Sequence, residues 1–300
     1  MTDYALTGKK GTGKSKHAVL LMRDRYFKHH RTVATNLDLN LEPMFGVFSK
    51  QCYVRIPDKP TAFDLLAVGH GNPESYNEDF NGGMFLDELG TWLNTRTFAD
   101  KERAGVLDYF AHGRKHGFDA YYIMQNVVQV DKQLREAFIE QTVRHTSFRR
   151  VKIPFVGWIL GALFGERAAY FPSFHTAVYR IGVNPQDLVT NRASFIGKDI
   201  EPCYDTRQVF LESYPHGTHS VLSPWHIKGR FMRQPVPSFW ARLFGGRDVA
   251  LVVASSRVRR PVVRDLVAIR AAELAKSLPV HKRIYFVRVY LAASVTRPSV

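Results

Sequence analysis

Eight consecutive residues near the start of the chain, Gly8-Lys9-Lys10-Gly11-Thr12-Gly13-Lys14-Ser15, have the types and spacing of a loop that wraps a polyphosphate. Glycines at 8, 11 and 13 let the backbone curl so that its N–H groups face the phosphates. Lys14 places a cation on the β- and γ-phosphates, and Ser15 offers a hydroxyl to Mg²⁺, so the ligands implied are ATP and Mg²⁺. Further on, Gly83-Met84-Phe85-Leu86 runs apolar into Asp87-Glu88. Asp87 is placed to hold Mg²⁺ through water. Glu88, expected on the other face of the pleat, is placed to polarise a water for attack on the γ-phosphate. An acid pair at a strand end also serves as a helix cap, here for a segment starting near Leu89. Beside a P-loop it points to hydrolysis rather than to transfer onto a small acceptor. Gln125, at the tip of Ala120–Met124, has the place of a γ-phosphate sensor, or of an amide capping the next turn. Hydrolysis of this kind commonly needs an arginine from a neighbouring subunit. Arg114 is the first candidate and Arg135 the second. His112 and His116 have the spacing of a metal pair but no third ligand, and Gly113 weakens the helix between them.

Alternating strands and helices must position these groups. Residues 4–7 read as a strand, 14–29 as a helix with Ala18, Leu21 and Met22 inward, 83–86 as a buried strand, and 120–124 as another. The helix expected over 100–116 carries Val106, Leu107, Phe110 and Ala111 on its apolar side and Gly117 as its stop. A further helix is expected over 131–140. The pattern is that of an α/β P-loop NTPase: a parallel sheet with helices on both faces. Residues 142–149 and 168–181 read as strand-like, and 186–231 as a peripheral extension. The chain divides on this reading into a core (1–185), an extension (186–235) and a basic tail (236–300).

With 300 residues and 45% hydrophobic content, disorder and collagen-like fibres are excluded. Cys52 and Cys203 form no zinc or thiol motif and fit a reducing compartment. No apolar signal-peptide core follows Met1–Leu6, so a cytoplasmic start is expected. The longest uncharged apolar run, 154–165, is 12 residues, short of the roughly 17–25 of a spanning helix. It is expected to be a core segment, with an interfacial dip as the alternative. The net charge of +15 is unevenly placed: residues 1–140 hold 18 basic and 18 acidic residues, and 228–300 hold 15 and 3. A basic amphipathic helix expected over 262–278, with Arg257, Arg259, Arg260 and Arg264 before it, suits an anionic phospholipid surface. With Tyr285, Phe286 and Tyr290 it equally suits single-stranded DNA.

The P-loop at residue 8, the Phe85-Leu86-Asp87-Glu88 strand end, and the stretch HGRKHGFDAYYIMQN (112–126) followed by DKQLRE (131–136) together resemble the zonular occludens toxin (Zot) family. These are assembly ATPases of filamentous bacteriophages, related more distantly to the HerA/FtsK pumping ATPases. The segment 203–210 (CYDTRQVF) and Lys228-Gly229-Arg230-Phe231 extend the resemblance to about residues 1–235. It implies a RecA/HerA–FtsK-like sheet and a homo-oligomeric ring. It also implies a motor at the host inner membrane that extrudes a coated single-stranded DNA virion, with phage coat and membrane exit proteins as partners. Lys14 and Ser15 match its phosphate-binding positions, Asp87 and Glu88 its metal and water positions, and Gln125 its sensor. Tyr204, Asp205 and Thr206 match a family segment whose residues by themselves read as a turn locked by side chains. The likeness ends in 233–300. There family members usually carry a membrane-spanning helix, whereas Arg242, Arg247 and Asp248 interrupt this sequence. The expectation is a chain at the cytoplasmic face of the host inner membrane, without a spanning helix of its own. The alternatives are a small-molecule kinase, and a nucleotide-binding adaptor or DNA-binding module without turnover.

Overall fold

The computed structural model describes residues 2–233 except 76, 94–100, 131–134, 136–137, 150, 155, 172–173, 185 and 212–213. The basic segment with its expected helix over 262–278, and most of the helix expected over 131–140, lie outside the described residues.

Among the described residues, the strands are β1 (Tyr4–Thr7), β2 (Val33–Thr35), β3 (Tyr53–Arg55), β4 (Gly82–Leu86), β5 (Phe118–Ile123), β6 (Gln141–Ser147), β7 (His175–Ile181), β8 (Val189–Phe195) and β9 (His219–Val221). They form one sheet in the order β8-β7-β6-β1-β5-β4-β2-β3-β9. The six from β6 to β3 run parallel. β7 and β8 close one edge antiparallel, and β9 closes the other. The segment 186–231, read as peripheral, thus supplies both edge strands of the main sheet.

Strand alternation splits the core into two layers. Tyr4, Leu6, Phe85, Tyr121 and Ile123 face one side, where they pack with Ala18, Val19, Met22, Tyr26 and Phe27. Ala5, Met84, Leu86, Ala120 and Tyr122 face the other, with Leu65, Val106 and Phe110. Burial on both faces is why these strands read as nearly continuous apolar runs. Tyr4, Tyr121 and Phe85 stack across three neighbouring strands, with ring centroids 4.7 and 4.3 Å apart. Tyr26 lies edge-on over Phe85, and Gly83 makes room for it: a β-carbon there would come within 2.9 Å of the Tyr26 ring.

The helix expected over 14–29 is α1 (Lys14–Leu21), which continues as a π turn over Met22–Tyr26 and a 3₁₀ turn over Phe27–His29. Next come α2 (Leu41–Phe45), α3 (Ala62–Ala67), α4 (Leu89–Trp92), α5 (Lys101–Ala111) and α6 (Gly113–His116). The single helix expected over 100–116 breaks at His112, whose φ of −97° and ψ of 10° leave the helical region. Gly117, at φ 68°, ends α6 in the left-handed conformation expected of a glycine stop. The apolar run at 154–165 is not core. Over Gly157–Phe164 it forms α7, and Val156, Trp158, Ile159 and Leu163 around it are exposed. This run joins β6 to β7 beyond their paired residues, where no second layer among the described residues covers it.

Candidate active site

The P-loop leaves the C-terminal end of β1 and opens α1. Gly8, Gly11 and Gly13 all have positive φ (147°, 75° and 90°), as a loop that turns its amides inward requires. Space as well as torsion demands glycine at two of them. A β-carbon on Gly8 would lie 2.8 Å from the His145 carbonyl, and one on Gly13 would lie 2.8 Å from His175 Nδ1. The Gly8 N–H donates to the Gln125 carbonyl at 3.2 Å, which ties the loop to the end of β5. The Lys14 ammonium donates to the Gly8 carbonyl at 2.9 Å and the Lys9 carbonyl at 3.2 Å. Burial draws its pKa down, while Asp87 and Glu88 hold it up.

β5 lies between β1 and β4, so the P-loop and the acid pair are one strand apart. Across that gap Ser15 Oγ donates to Asp87 Oδ2 at 2.7 Å. Asp87 is buried, and its other oxygen accepts the Glu88 N–H at 2.7 Å. Burial raises its pKa, opposed by the Ser15 hydroxyl, the Glu88 amide and Lys14. Asn36, at the end of β2, fixes the main chain of Asp87. Its side-chain oxygen accepts the Asp87 N–H (2.7 Å) and its amide donates to the Asp87 carbonyl (3.0 Å). β4 ends at Leu86, so the pleat does not orient Glu88. Glu88 takes the left-handed conformation (φ 53°, ψ 32°) as the residue preceding α4. Such a torsion is uncommon for a residue with a side chain and costs roughly 1–2 kcal/mol. Its exposed carboxylate makes no capping hydrogen bond to α4.

The Gln125 side chain is exposed and lines a groove of about 1070 Å³ with Gly8, Thr12, Arg135 and Arg144. Asn126, not Gln125, caps the next turn, accepting the Val128 N–H at 3.2 Å. Arg135 therefore lies in the groove of its own P-loop. Arg114 does not: α6 precedes the N-terminal end of β5, about 20 Å along the strand from Gln125. Arg114 is 84% exposed and pairs with Glu78 at 2.8 Å. Arg144, opposite Thr7 in the parallel register of β6, is a groove cation that sequence reasoning passed over. Among the described residues, no group of three His, Cys, Asp or Glu side chains is arranged to hold a metal ion, His112 and His116 included.

Behind the loop runs a buried chain of histidines that the sequence did not signal. His145 Nδ1 lies 3.2 Å from the Thr7 carbonyl, His17 Nδ1 lies 2.8 Å from His145 Nε2, and the Tyr179 hydroxyl lies 3.2 Å from His17 Nε2. A carbonyl only accepts, so His145 donates from Nδ1, accepts from His17 Nδ1–H, and His17 accepts from Tyr179. These directions require both rings to be neutral, and burial keeps them so, pushing their pKa values down to about 4 for His17 and about 3 for His145. Between about pH 4 and the ordinary histidine value near 6.5, the unfolded chain therefore binds more protons, and stability falls as pH drops through that window. Asp3, raised to about 7 by burial, works in the opposite sense between about 3.8 and 7. Denaturant midpoints measured against pH should rise more shallowly between pH 4 and 6.5 in His17→Gln than in the wild type, and more steeply in Asp3→Asn.

The family model described as Zonular occludens toxin (Zot) matches residues 4–155. The Gene 1 protein of Escherichia phage If1 is 40% identical over 246 residues, which cover 81% of this chain and 69% of that protein. The chain belongs to the Zot family. The Gene 1 protein of Enterobacteria phage M13 is also 40% identical, over 236 residues that cover 78% and 67% of the two chains. The solved N-terminal domain of zonular occludens toxin from Neisseria meningitidis aligns at 15% identity with a TM-score of 0.38, over 68% of this chain and 98% of that one.

This Zot protein is a P-loop ATPase, and its 204–211 segment braces the acid strand end from behind. Asp205 donates its N–H to the Asp38 carbonyl at 3.2 Å and accepts the Arg207 N–H at 2.8 Å. Gln208 grips the loop after β2 from both sides. Its amide donates to the Asn36 carbonyl at 2.8 Å, and its oxygen accepts the Asp38 N–H at 2.9 Å. The links run from Gln208 to Asn36 to Asp87 to Ser15. The Asp205 half of the expected locked turn is present, and its position explains more than its composition did.

Proposed function

We propose that this Zot-family ATPase is the ATP-hydrolysing motor of filamentous phage assembly. It works as a ring of copies at the cytoplasmic face of the host inner membrane and acts with phage coat and membrane exit proteins. The observation that carries the reading is the 2.7 Å contact between Ser15 Oγ and Asp87 Oδ2, with Glu88 turned out beside it. Hard oxygen donors of this kind fit Mg²⁺, and Ser15 and Asp87 would hold it, Asp87 through water. The ion supplies charge neutralisation on the β- and γ-phosphates when bound. Residues 8–15 wrap the phosphates, Lys14 leaves its loop carbonyls to bind them, and Glu88 accepts the proton of the attacking water. Gln125 orients the γ-phosphate. Arg135 adds positive charge from within the chain, and Arg114, remote from its own P-loop, reaches the site of a neighbouring copy. The 186–235 segment serves this core as an extension, and the 236–300 tail supplies contact with anionic phospholipid or single-stranded DNA.

The test is release of phosphate from ATP by the purified chain, with and without Mg²⁺, single-stranded DNA and anionic liposomes. Absence of turnover under all these conditions would overturn the motor reading. Gln208 gives a finer check, because its partners are the main-chain groups of Asn36 and Asp38. Removing an outer partner of a metal site typically weakens metal affinity or activity by about 10–100-fold. In Gln208→Ala the Mg²⁺ concentration for half-maximal hydrolysis should rise by about tenfold, with nucleotide affinity measured in EDTA unchanged.

A further inference from the structure

Past their last paired residues, β6 and β7 continue as a narrow antiparallel stalk. The Phe148 N–H donates to the Phe174 carbonyl (3.0 Å), the Phe171 N–H to Val151 (3.0 Å) and the Ile153 N–H to Ala169 (2.8 Å), with Lys152 bridged to Tyr170. α7 forms the tip and folds back on the 3₁₀ turn Glu166–Ala169. A β-carbon on Gly161 would sit 3.3 Å from Ala169 Cβ, so the turn covers that side. Away from the turn, the described side chains of the tip are apolar, and no described residue covers them. Trp158 is 75% exposed and Leu163 69%, with Val156 and Ile159 beside them. One exposed apolar side chain is ordinary, but four within eight residues form a patch that calls for a partner.

Charge identifies the partner. Arg149, Lys152 and Arg167 are exposed on the stalk below the tip, and Glu166 is the one acid between residues 144 and 171, against five basic residues. A tryptophan and aliphatic side chains above a cationic collar match the chemistry of a bilayer surface. Rings of this kind sit at headgroup level, and lysine and arginine meet anionic phosphates. α7, at eight residues, is about 12 Å long, enough to enter an interface and too short to cross a membrane. No helix among the described residues is long and apolar enough to cross one.

We propose that the tip of the β6–β7 stalk inserts shallowly into an anionic bilayer surface. Trp158, Ile159 and Leu163 enter the headgroup–acyl boundary, and Arg149, Lys152 and Arg167 lie against the lipid phosphates. The two strands that lead into the stalk also carry His145 and His175, the residues packed against Gly8 and Gly13. The membrane contact is therefore built onto the strands that brace the phosphate loop. The inference rests on the motor reading for its setting at a membrane, and its test does not depend on ATP turnover.

In the full chain, Trp92, Trp225 and Trp240 are replaced by phenylalanine, which leaves Trp158 as the one tryptophan, excited selectively over tyrosine. With vesicles of phosphatidylcholine and phosphatidylglycerol, Trp158 emission should shift to the blue and be quenched by lipids brominated on the acyl chain. Vesicles of phosphatidylcholine alone should give neither effect. In the otherwise unaltered chain, Leu163→Asp should weaken binding to the anionic vesicles by about tenfold and leave lipid-free ATP hydrolysis unchanged. Protein that binds the anionic vesicles while Trp158 remains unquenched, or Leu163→Asp that binds as well as the wild type, would overturn the proposal. So would Leu163→Asp that breaks up an oligomer without lipid present, since a second copy would then be what covers the tip.

Discussion

Glu88→Gln should bind ATP as the wild type does and lose turnover by about 10²–10⁴-fold, the usual contribution of a positioned base. The amide keeps the size of the side chain and suits the same left-handed turn before α4. What it loses is the ability to take a proton from water. Lys14→Ala should lose nucleotide affinity and turnover together, because the ammonium is the cation that the loop closes around. The two variants therefore separate on one pair of measurements: fluorescent-nucleotide affinity in EDTA, and single-turnover phosphate release with Mg²⁺. Full activity in Glu88→Gln would move the base to another group in the groove. Unaltered nucleotide affinity in Lys14→Ala would mean that the P-loop does not hold phosphate through this lysine.

The P-loop was legible because its chemistry is contiguous. Three glycines, a lysine and a serine lie within eight residues, and the strand before and helix after them are required by the same pattern. Asp87 was legible for a related reason, as an acid at the end of an apolar run. The groups that fix Asp87 were not. Asn36 and Gln208 are 172 residues apart in the chain, and only the placing of β2 beside β4 and the return of the 204–211 segment bring them together. The same holds for the His17–His145 pair, joined by the pairing of β6 with β1. Glu88 shows a different limit, since period-two alternation orients side chains only while the strand lasts, and β4 stops two residues earlier. At 154–165 the apolar composition was read correctly and its burial was not. A core segment and an interfacial tip share a composition and differ in what lies opposite them, which is a property of the fold.

The largest expected loss of stability lies at Arg55, which heads the fully buried side chains of the described residues by size. Its guanidinium donates to Asp38 at 2.8 Å, to Asp58 at 2.6 Å and to the Ile56 carbonyl, and it lies 4.6 Å from the centre of the Tyr214 ring. Asp58, buried as deeply, also accepts the Leu211 N–H at 2.9 Å. Arg55→Met would remove the cation and strand the Asp58 charge away from water, a change that costs about 3–5 kcal/mol in comparable buried pairs. Against the roughly 5–15 kcal/mol of a typical domain, that is about a fifth of the total or more. Asp58→Asn added to Arg55→Met should recover part of the loss, because the amide oxygen can still accept the Leu211 N–H without a charge to solvate. Arg55→Lys should not rescue, since one ammonium cannot span Asp38, Asp58 and the Ile56 carbonyl as a planar fork does. Urea midpoints for the three variants at neutral pH, with unchanged slopes, decide the matter. A loss below about 1 kcal/mol in Arg55→Met would show that Asp58 is neutral or hydrated in the fold. The consequence reaches the active site. Asp38 is held by Arg55 on its carboxylate and by Gln208 on its amide, so a loosened Arg55 should slacken the grip on Asn36 and, through it, on Asp87.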